Sequence, residues 1–143
     1  MHHYRKTIKK YQQLARQDKV AGISCGLCEA IDPKAIIDGT DGLMVVQNRI
    51  PYDVFDGLET TGEHYLIIPK RHVESIAEFT DTEKLEMIGL IAKYESLGFS
   101  VYARSTANIH RSQPHQHTHL IKLATKAPKF LFTSEKPYML FHG

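Results

Sequence analysis

The sequence predicts an α+β domain built on an antiparallel sheet of about five strands, with one long central helix and an N-terminal helix. Three observations carry that expectation. Short apolar runs of strand length are separated by turn residues. One strong helix-start signal, Thr80-Asp81-Thr82-Glu83, stands in the middle of the chain, followed by periodic apolar residues. Alternating βαβ units and a Gly-rich phosphate loop are both absent, which argues against P-loop and Rossmann architectures.

The elements follow in order. Residues 3–17 place Tyr4, Ile8, Tyr11 and Ala15 on one helical face with Lys and Arg between them, as expected of a surface helix docked on a domain. Residues 21–31 read as a loop or turn carrying Cys25 and Cys28. Ala35-Ile36-Ile37 and Leu43-Met44-Val45-Val46 flank Asp38-Gly39-Thr40-Asp41-Gly42, which is a strand, a turn and a strand. Residues 48–63, with Pro51 and two glycines, read as a loop. His64-Tyr65-Leu66-Ile67-Ile68 is a third strand, stopped by Pro69. The helix opened at Thr80 is expected to turn Leu85, Ile88, Ile91 and Ala92 inward and to end at Gly98. Phe99 to Ala103 is a fourth strand and His115 to Leu123 a fifth. Residues 130–132 and 139–141 read as short terminal strands. The whole chain, 1–143, is expected to form one domain: a helical extension over 1–22, a core over 24–123 and a C-terminal segment over 124–143.

Composition bounds the partners. The 143 residues are 42% hydrophobic and 24% charged, an ordinary globular balance. A formal charge of +2, from 18 basic and 16 acidic residues, is too small for a nucleic-acid groove or an anionic membrane surface. No apolar run approaches the ~20 residues of a membrane helix. The first residues lack a signal-peptide core, so a cytoplasmic location is expected. Nine histidines are the unusual count, and four of them fall between His110 and His119.

That cluster reads Pro114-His115-Gln116-His117-Thr118-His119-Leu120-Ile121. On a strand, alternate side chains share a face, so His115, His117 and His119 would project together with Cα atoms about 6.5–7 Å apart. Three readings stay open on the residues alone. The row can be a set of hydrogen-bonded histidines with no further role. It can bind a metal, because His-x-His on a strand suits zinc or iron. It can supply a nucleophile, because a neutral imidazole attacks phosphorus near neutral pH and is readily displaced again. The last reading needs one ring nitrogen free, the other held as N–H by an acceptor, and donors for the phosphoryl oxygens.

The row His115-x-His117-x-His119-Leu120-Ile121 resembles the signature of the histidine triad (HIT) family of nucleotide hydrolases and transferases. Two more segments agree. His64-Tyr65-Leu66-Ile67-Ile68-Pro69-Lys70-Arg71-His72 is similar to the family's strand ending in Pro-Lys-x-His, and Cys25-Gly26-Leu27-Cys28 to the Cys-x-x-Cys of many bacterial members. The resemblance spans about residues 24–123. It implies a homodimeric α+β fold and attack on the α-phosphorus of a nucleotide through a covalent nucleotidyl-histidine. His117 would be the nucleophile and His119 a donor to phosphate oxygens. The His115 carbonyl would hold the reactive tautomer of His117. Ser112 would lie near the phosphate and leaving group, Asn48 would hold the ribose hydroxyls, and His64 would support the triad. The spacers Gln116 and Thr118 are polar where the family prefers hydrophobic residues, and His110-Arg111-Ser112-Gln113-Pro114 replaces its usual Gly-Gln. Arg104 and Arg111 are candidate extra phosphate contacts.

A Cys-x-x-Cys pair alone is ambiguous between redox chemistry and metal, and the absence of a thioredoxin-like βαβ context argues against redox. The resemblance implies structural zinc held by Cys25, Cys28, His72 and His115, a closed Cys₂His₂ set. The function implied is cleavage or transfer at the α-phosphate of a nucleoside phosphate ester, anhydride or amidate, with adenine nucleotides as the expected class. Two other classes of reading remain: a nucleotide-binding or sensing module with little turnover, and a metal-dependent hydrolase using the histidine row.

Overall fold

The computed structural model describes residues 3–128, and the backbone of 130–132 and 139–141. An N-terminal helix, α1 (Arg5–Val20), leads into a one-turn helix, α2 (Gly26–Glu29). The sheet strands are β1 (Ile36–Gly39), β2 (Leu43–Gln47), β3 (Val54–Phe55), β4 (Leu58–Pro69), β5 (Phe99–Ala103) and β6 (Thr118–Leu123), with the long helix α3 (Asp81–Ser96) between β4 and β5. The strand order is β1-β2-β4-β6-β5, with β3 paired to β4, and every pairing is antiparallel. The short strands β7 (Phe130–Phe132) and β8 (Met139–Phe141) pair with each other.

The two faces of the sheet divide the labour. Tyr65 and Ile67 of β4 and Leu120 of β6 face α3, where Met87, Leu90 and Tyr94 close the main core with Phe99. The alternate residues His64, Leu66 and Ile68 lie on the other face. There Val46, Leu66 and Ile68 pack against Leu27 and Ile31, beside the cysteine turn. Because Leu66 pairs with His119 and His64 with Ile121, two histidines meet on that second face.

Three expectations change. Residues 48–63 are not one loop: β4 begins at Leu58 and β3 folds back on it. Asp56 and Gly57 both carry positive φ, 48° and 76°, the geometry of a tight hairpin turn in which Asp-Gly is favoured. Gly62, at φ 88°, sits where the β4–β6 register shifts between Thr60 and His64.

The helix α3 is rotated from the expected face. Glu83, Met87, Leu90 and Tyr94 are buried, whereas Leu85 and Ile88 are 75% and 64% exposed and Ile91 is partly buried. Apolar residues run around much of this helix, so periodicity does not choose the face. The first turn does. The Thr80 hydroxyl accepts the Glu83 N–H, and the Glu83 carboxylate accepts both the Thr80 N–H and two Arg71 guanidinium N–H groups at 2.8 Å. That anchor ties the helix to the end of β4 and fixes its rotation.

The fifth strand starts at Thr118, not His115. Ahead of it, the Gln116 N–H donates to the Val73 carbonyl at 2.7 Å, and the Arg111 guanidinium donates to the carbonyls of Glu74, Gln113 and Pro114. The segment from His115 to His117 therefore bonds to the loop after β4 instead of joining the sheet. Helix α1 buries none of its residues; Tyr4, Ile8 and Tyr11 stay 40–44% exposed. It is fastened at its ends, where the Tyr4 N–H donates to Asp53 at 2.7 Å and Asp18 receives both Arg49 terminal nitrogens at 3.0 and 3.2 Å.

Candidate active site and metal site

His115, His117 and His119 are all buried, at 0%, 6% and 4% exposure, and each ring has a distinct partner. The His117 Nδ1–H donates to the His115 backbone carbonyl at 2.9 Å. A ring so held is the Nδ1–H tautomer, and Nε2 keeps its lone pair. Burial pushes its pKa below the usual histidine value, the bond to the His115 carbonyl opposes this, and the Arg111 and Arg104 charges add to the lowering. The His119 ring stands edge-on to it, centroids 5.1 Å apart.

His119 belongs to a second chain of bonds. The Tyr52 backbone N–H donates to His64 Nδ1 at 3.1 Å, which makes Nδ1 an acceptor and leaves the His64 proton on Nε2. That Nε2–H donates to His119 Nδ1 at 2.9 Å. The His119 proton is therefore on Nε2, which lies 3.4 Å from the Tyr52 hydroxyl. Burial lowers the pKa of His64 to about 3 and that of His119 to about 2, with neighbouring histidines adding to both. These rings are neutral at physiological pH. Two complementary atoms result side by side: a bare Nε2 on His117 and an Nε2–H on His119.

Asn48 is drawn into the same cluster. Its Oδ1 accepts the Ile50 N–H at 3.1 Å, which turns the amide nitrogen toward His64, 3.1 and 3.2 Å from the two ring nitrogens. Ser112 is exposed, and its hydroxyl makes no hydrogen bond among the described residues. Asn108 is engaged in a local turn through the His110 N–H. Arg111 is spent on backbone carbonyls and on Gln116 Oε1 at 3.3 Å. Arg104 does reach the site: it donates to the His110 carbonyl at 2.6 Å and to the Tyr52 hydroxyl at 3.0 Å. Tyr52 is the site residue that motif reading missed. It lies in the stretch read as loop, and only Pro51 before it and the Asp-Gly turn after it signalled an ordered hairpin.

The four candidate metal ligands converge. One ligand atom from each of Cys25, Cys28, His72 and His115 lies within 4.8 Å of the others. Cys28 Sγ is 3.2 Å from both His72 Nδ1 and His115 Nδ1, and Cys25 Sγ is 3.6 Å from His115 Nδ1. A tetrahedral ion with Zn–S near ~2.3 Å and Zn–N near ~2.0–2.1 Å has sulfur–nitrogen edges of about 3.5 Å, so the spacing suits one. His115 Nε2–H donates to the Pro69 carbonyl at 2.9 Å, which leaves Nδ1 bare toward the sulfurs. Both cysteines are free thiols. The Glu29 carboxylate braces the turn by accepting the Ser24 N–H, the Ser24 hydroxyl and the Cys25 N–H. This four-residue group can hold a metal ion, and it uses only the first histidine of the row.

No family model and no curated protein matches the sequence. Solved structures do match the fold. A HIT family hydrolase from Clostridium thermocellum is 21% identical, with a TM-score of 0.53 over 76% of this chain and 98% of that one. A hypothetical protein from Leishmania major is 22% identical, with a TM-score of 0.56 over 80% and 85%. A histidine triad nucleotide-binding protein from Candida albicans is 22% identical, with a TM-score of 0.50 over 73% and 83%. The chain has the fold of histidine triad proteins. No helix among the described residues is long and apolar enough to cross a membrane.

Proposed function

We propose that this chain is a HIT-type nucleotide hydrolase or nucleotidyl transferase that acts through a covalent nucleotidyl-His117, with adenine nucleotides as the substrate class and a homodimer as the working form. The observation that carries the reading is the bond from His117 Nδ1–H to the His115 carbonyl. It presents the Nε2 lone pair of a neutral, buried imidazole, the state a phosphorus nucleophile needs at neutral pH. His117 Nε2 attacks the α-phosphorus, the bond to the leaving group breaks, and that group takes up a proton as it departs. Water then attacks the same phosphorus, the phosphorus–nitrogen bond breaks to restore the free imidazole, and the proton released to solvent balances the one the leaving group took from it. His119 Nε2–H donates to a phosphoryl oxygen throughout. Ser112 serves the leaving group, Asn48 the ribose, and His64 holds the His119 tautomer. The naming of similarly folded proteins as hydrolase and nucleotide-binding protein supports the class.

Cys25, Cys28, His72 and His115 would hold zinc as a structural ion. When bound it supplies a crosslink between the α2 turn, the end of β4 and the segment before β6, with no open position for chemistry. The donor set of two thiols and two imidazoles, with the bare His115 Nδ1 facing the sulfurs and His72 Nδ1 3.2 Å from Cys28 Sγ, supports that assignment.

The test is turnover of adenosine phosphoramidate and diadenosine tetraphosphate by the purified chain, with and without a chelator, and by His117→Asn. The expected result is AMP release that survives chelation while the fold is intact and is lost in the variant. AMP binding without any release would favour a sensing module instead. Release abolished by chelation at intact fold would favour a metallohydrolase.

A further inference from the structure

Two hydrogen-bond donors converge on the Tyr52 hydroxyl, which leaves its own O–H as a third donor without an acceptor among the described residues. Arg104 Nη2–H donates to Oη at 3.0 Å, and His119 Nε2–H is directed at it from 3.4 Å. The direction of the second bond is fixed by the relay, because the Tyr52 N–H makes His64 Nδ1 an acceptor and His64 in turn makes His119 Nδ1 one. A phenolic oxygen accepts two such donors and keeps one proton of its own. Tyr52 Oη donates to no acceptor among the described residues, although the residue is only 7% exposed. Burial pushes the phenol up to about 12, so it does not shed that proton at physiological pH. A buried O–H backed by a guanidinium and beside an imidazole N–H lacks one thing, an anionic acceptor.

We propose that the Tyr52 hydroxyl, backed by Arg104, is a further phosphoryl-binding group of this site, donating to a non-bridging oxygen of the nucleotide beside the His119 N–H. The proposal rests on the nucleotide reading above and adds a contact outside the histidine row. When the phosphoryl group enters, the His119 N–H moves from Tyr52 Oη to a phosphoryl oxygen, and the Tyr52 O–H meets that oxygen or its neighbour. Arg104 keeps its bond to Oη, so its positive charge is delivered to the anion through the phenol. Arg104, just past β5, and Tyr52, just ahead of β3, then act as one unit.

The test compares AMP and adenosine binding by calorimetry to the wild-type chain, Tyr52→Phe and Arg104→Gln. Losing a hydrogen bond to a charged group weakens binding on the order of 10- to 100-fold. The expected result is a loss of that size for AMP and little change for adenosine in Tyr52→Phe, with an AMP-selective loss also in Arg104→Gln. Thermal melting of each variant reports folding independently, and Arg104→Gln covers the case in which Tyr52→Phe does not fold. Equal losses for AMP and adenosine would make Tyr52 a packing residue and overturn the proposal. Unchanged AMP affinity in both variants would overturn it while leaving the nucleotide reading intact. A wild-type chain that binds neither ligand would overturn that reading and this proposal together.

Discussion

At the scale of single residues, the polar spacers of the histidine row have a structural account. Gln116 is buried, and its side chain ties the Arg111 guanidinium to the His117 carbonyl, with Oε1 accepting at 3.3 Å and Nε2 donating at 3.4 Å. It replaces an apolar spacer with a brace for the segment before β6. Thr118 faces the α3 side, and its buried hydroxyl has no hydrogen-bond partner among the described residues; nothing in the structure explains the choice of Thr over Val there. Asn48 carries the sharpest single-residue expectation. Its Oδ1 has a second lone pair beyond the one used by Ile50, and a ribose hydroxyl can donate to it. Asn48→Ala is expected to weaken ribonucleotide binding on the order of 10-fold and to weaken the 2′-deoxy analogue less. Equal losses for the two sugars in a titration would place Asn48 outside ribose recognition.

Among the elements, α2 and its preceding turn are small but carry two of the four candidate metal ligands. The turn contributes little to the apolar packing, chiefly Leu27 and Ile31 against the second face of the sheet. The ion, when bound, would fasten it to the segment entering β6, and binding energy at such a site is folding energy. Cys25→Ser and Cys28→Ser are therefore expected to lower zinc content and melting temperature together, and His117→Asn to leave zinc near one per chain. Elemental analysis beside thermal denaturation checks this. Loss of zinc from the His117 variant with retention in both cysteine variants would move the metal to the row itself.

For the whole molecule, much of the architecture is legible in the sequence, and the failures have physical causes. The strands β2 and β5 and the Thr80 cap announce themselves through apolar runs and side-chain chemistry that act within a few residues. Cys25, Cys28, His72 and His115, named from a resemblance to a known motif, come together in a group that can hold a metal ion. The rotation of α3 was hidden because Arg71, which fixes it through Glu83, acts across a turn, while Leu85 and Ile88 supply a misleading apolar stripe. The 54–59 hairpin was hidden behind Pro51 and two glycines, although Asp56-Gly57 is itself a hairpin signal. Tyr52 and Arg104 were not recognisable as partners, because their meeting depends on long-range sheet pairing.

Burial of neutral histidines also gives the molecule a pH dependence. His64 and His119 stay unprotonated in the folded chain down to about 3 and about 2, whereas an unfolded histidine takes up its proton near 6.5. Below that value the unfolded state binds more protons, so stability falls as pH falls and is full above it. The chain is expected to lose stability progressively from about pH 6.5 downward. His119→Gln, which has no proton to take up, should flatten that limb in denaturant unfolding across pH. Parallel pH profiles for the two proteins would refute the account of a buried neutral His119.

The proposed reaction turns on a bond from the His117 Nε2 lone pair to phosphorus, and that bond can be trapped. The chain is mixed with adenosine phosphoramidate, quenched in base within one turnover to preserve a phosphorus–nitrogen bond, digested and analysed by mass spectrometry. An adenylyl group is expected on the peptide containing residues 115–119, with fragmentation placing it on His117, and no adduct in His117→Asn. An adduct on His115 or His119, or normal turnover by the His117→Asn protein, would contradict it.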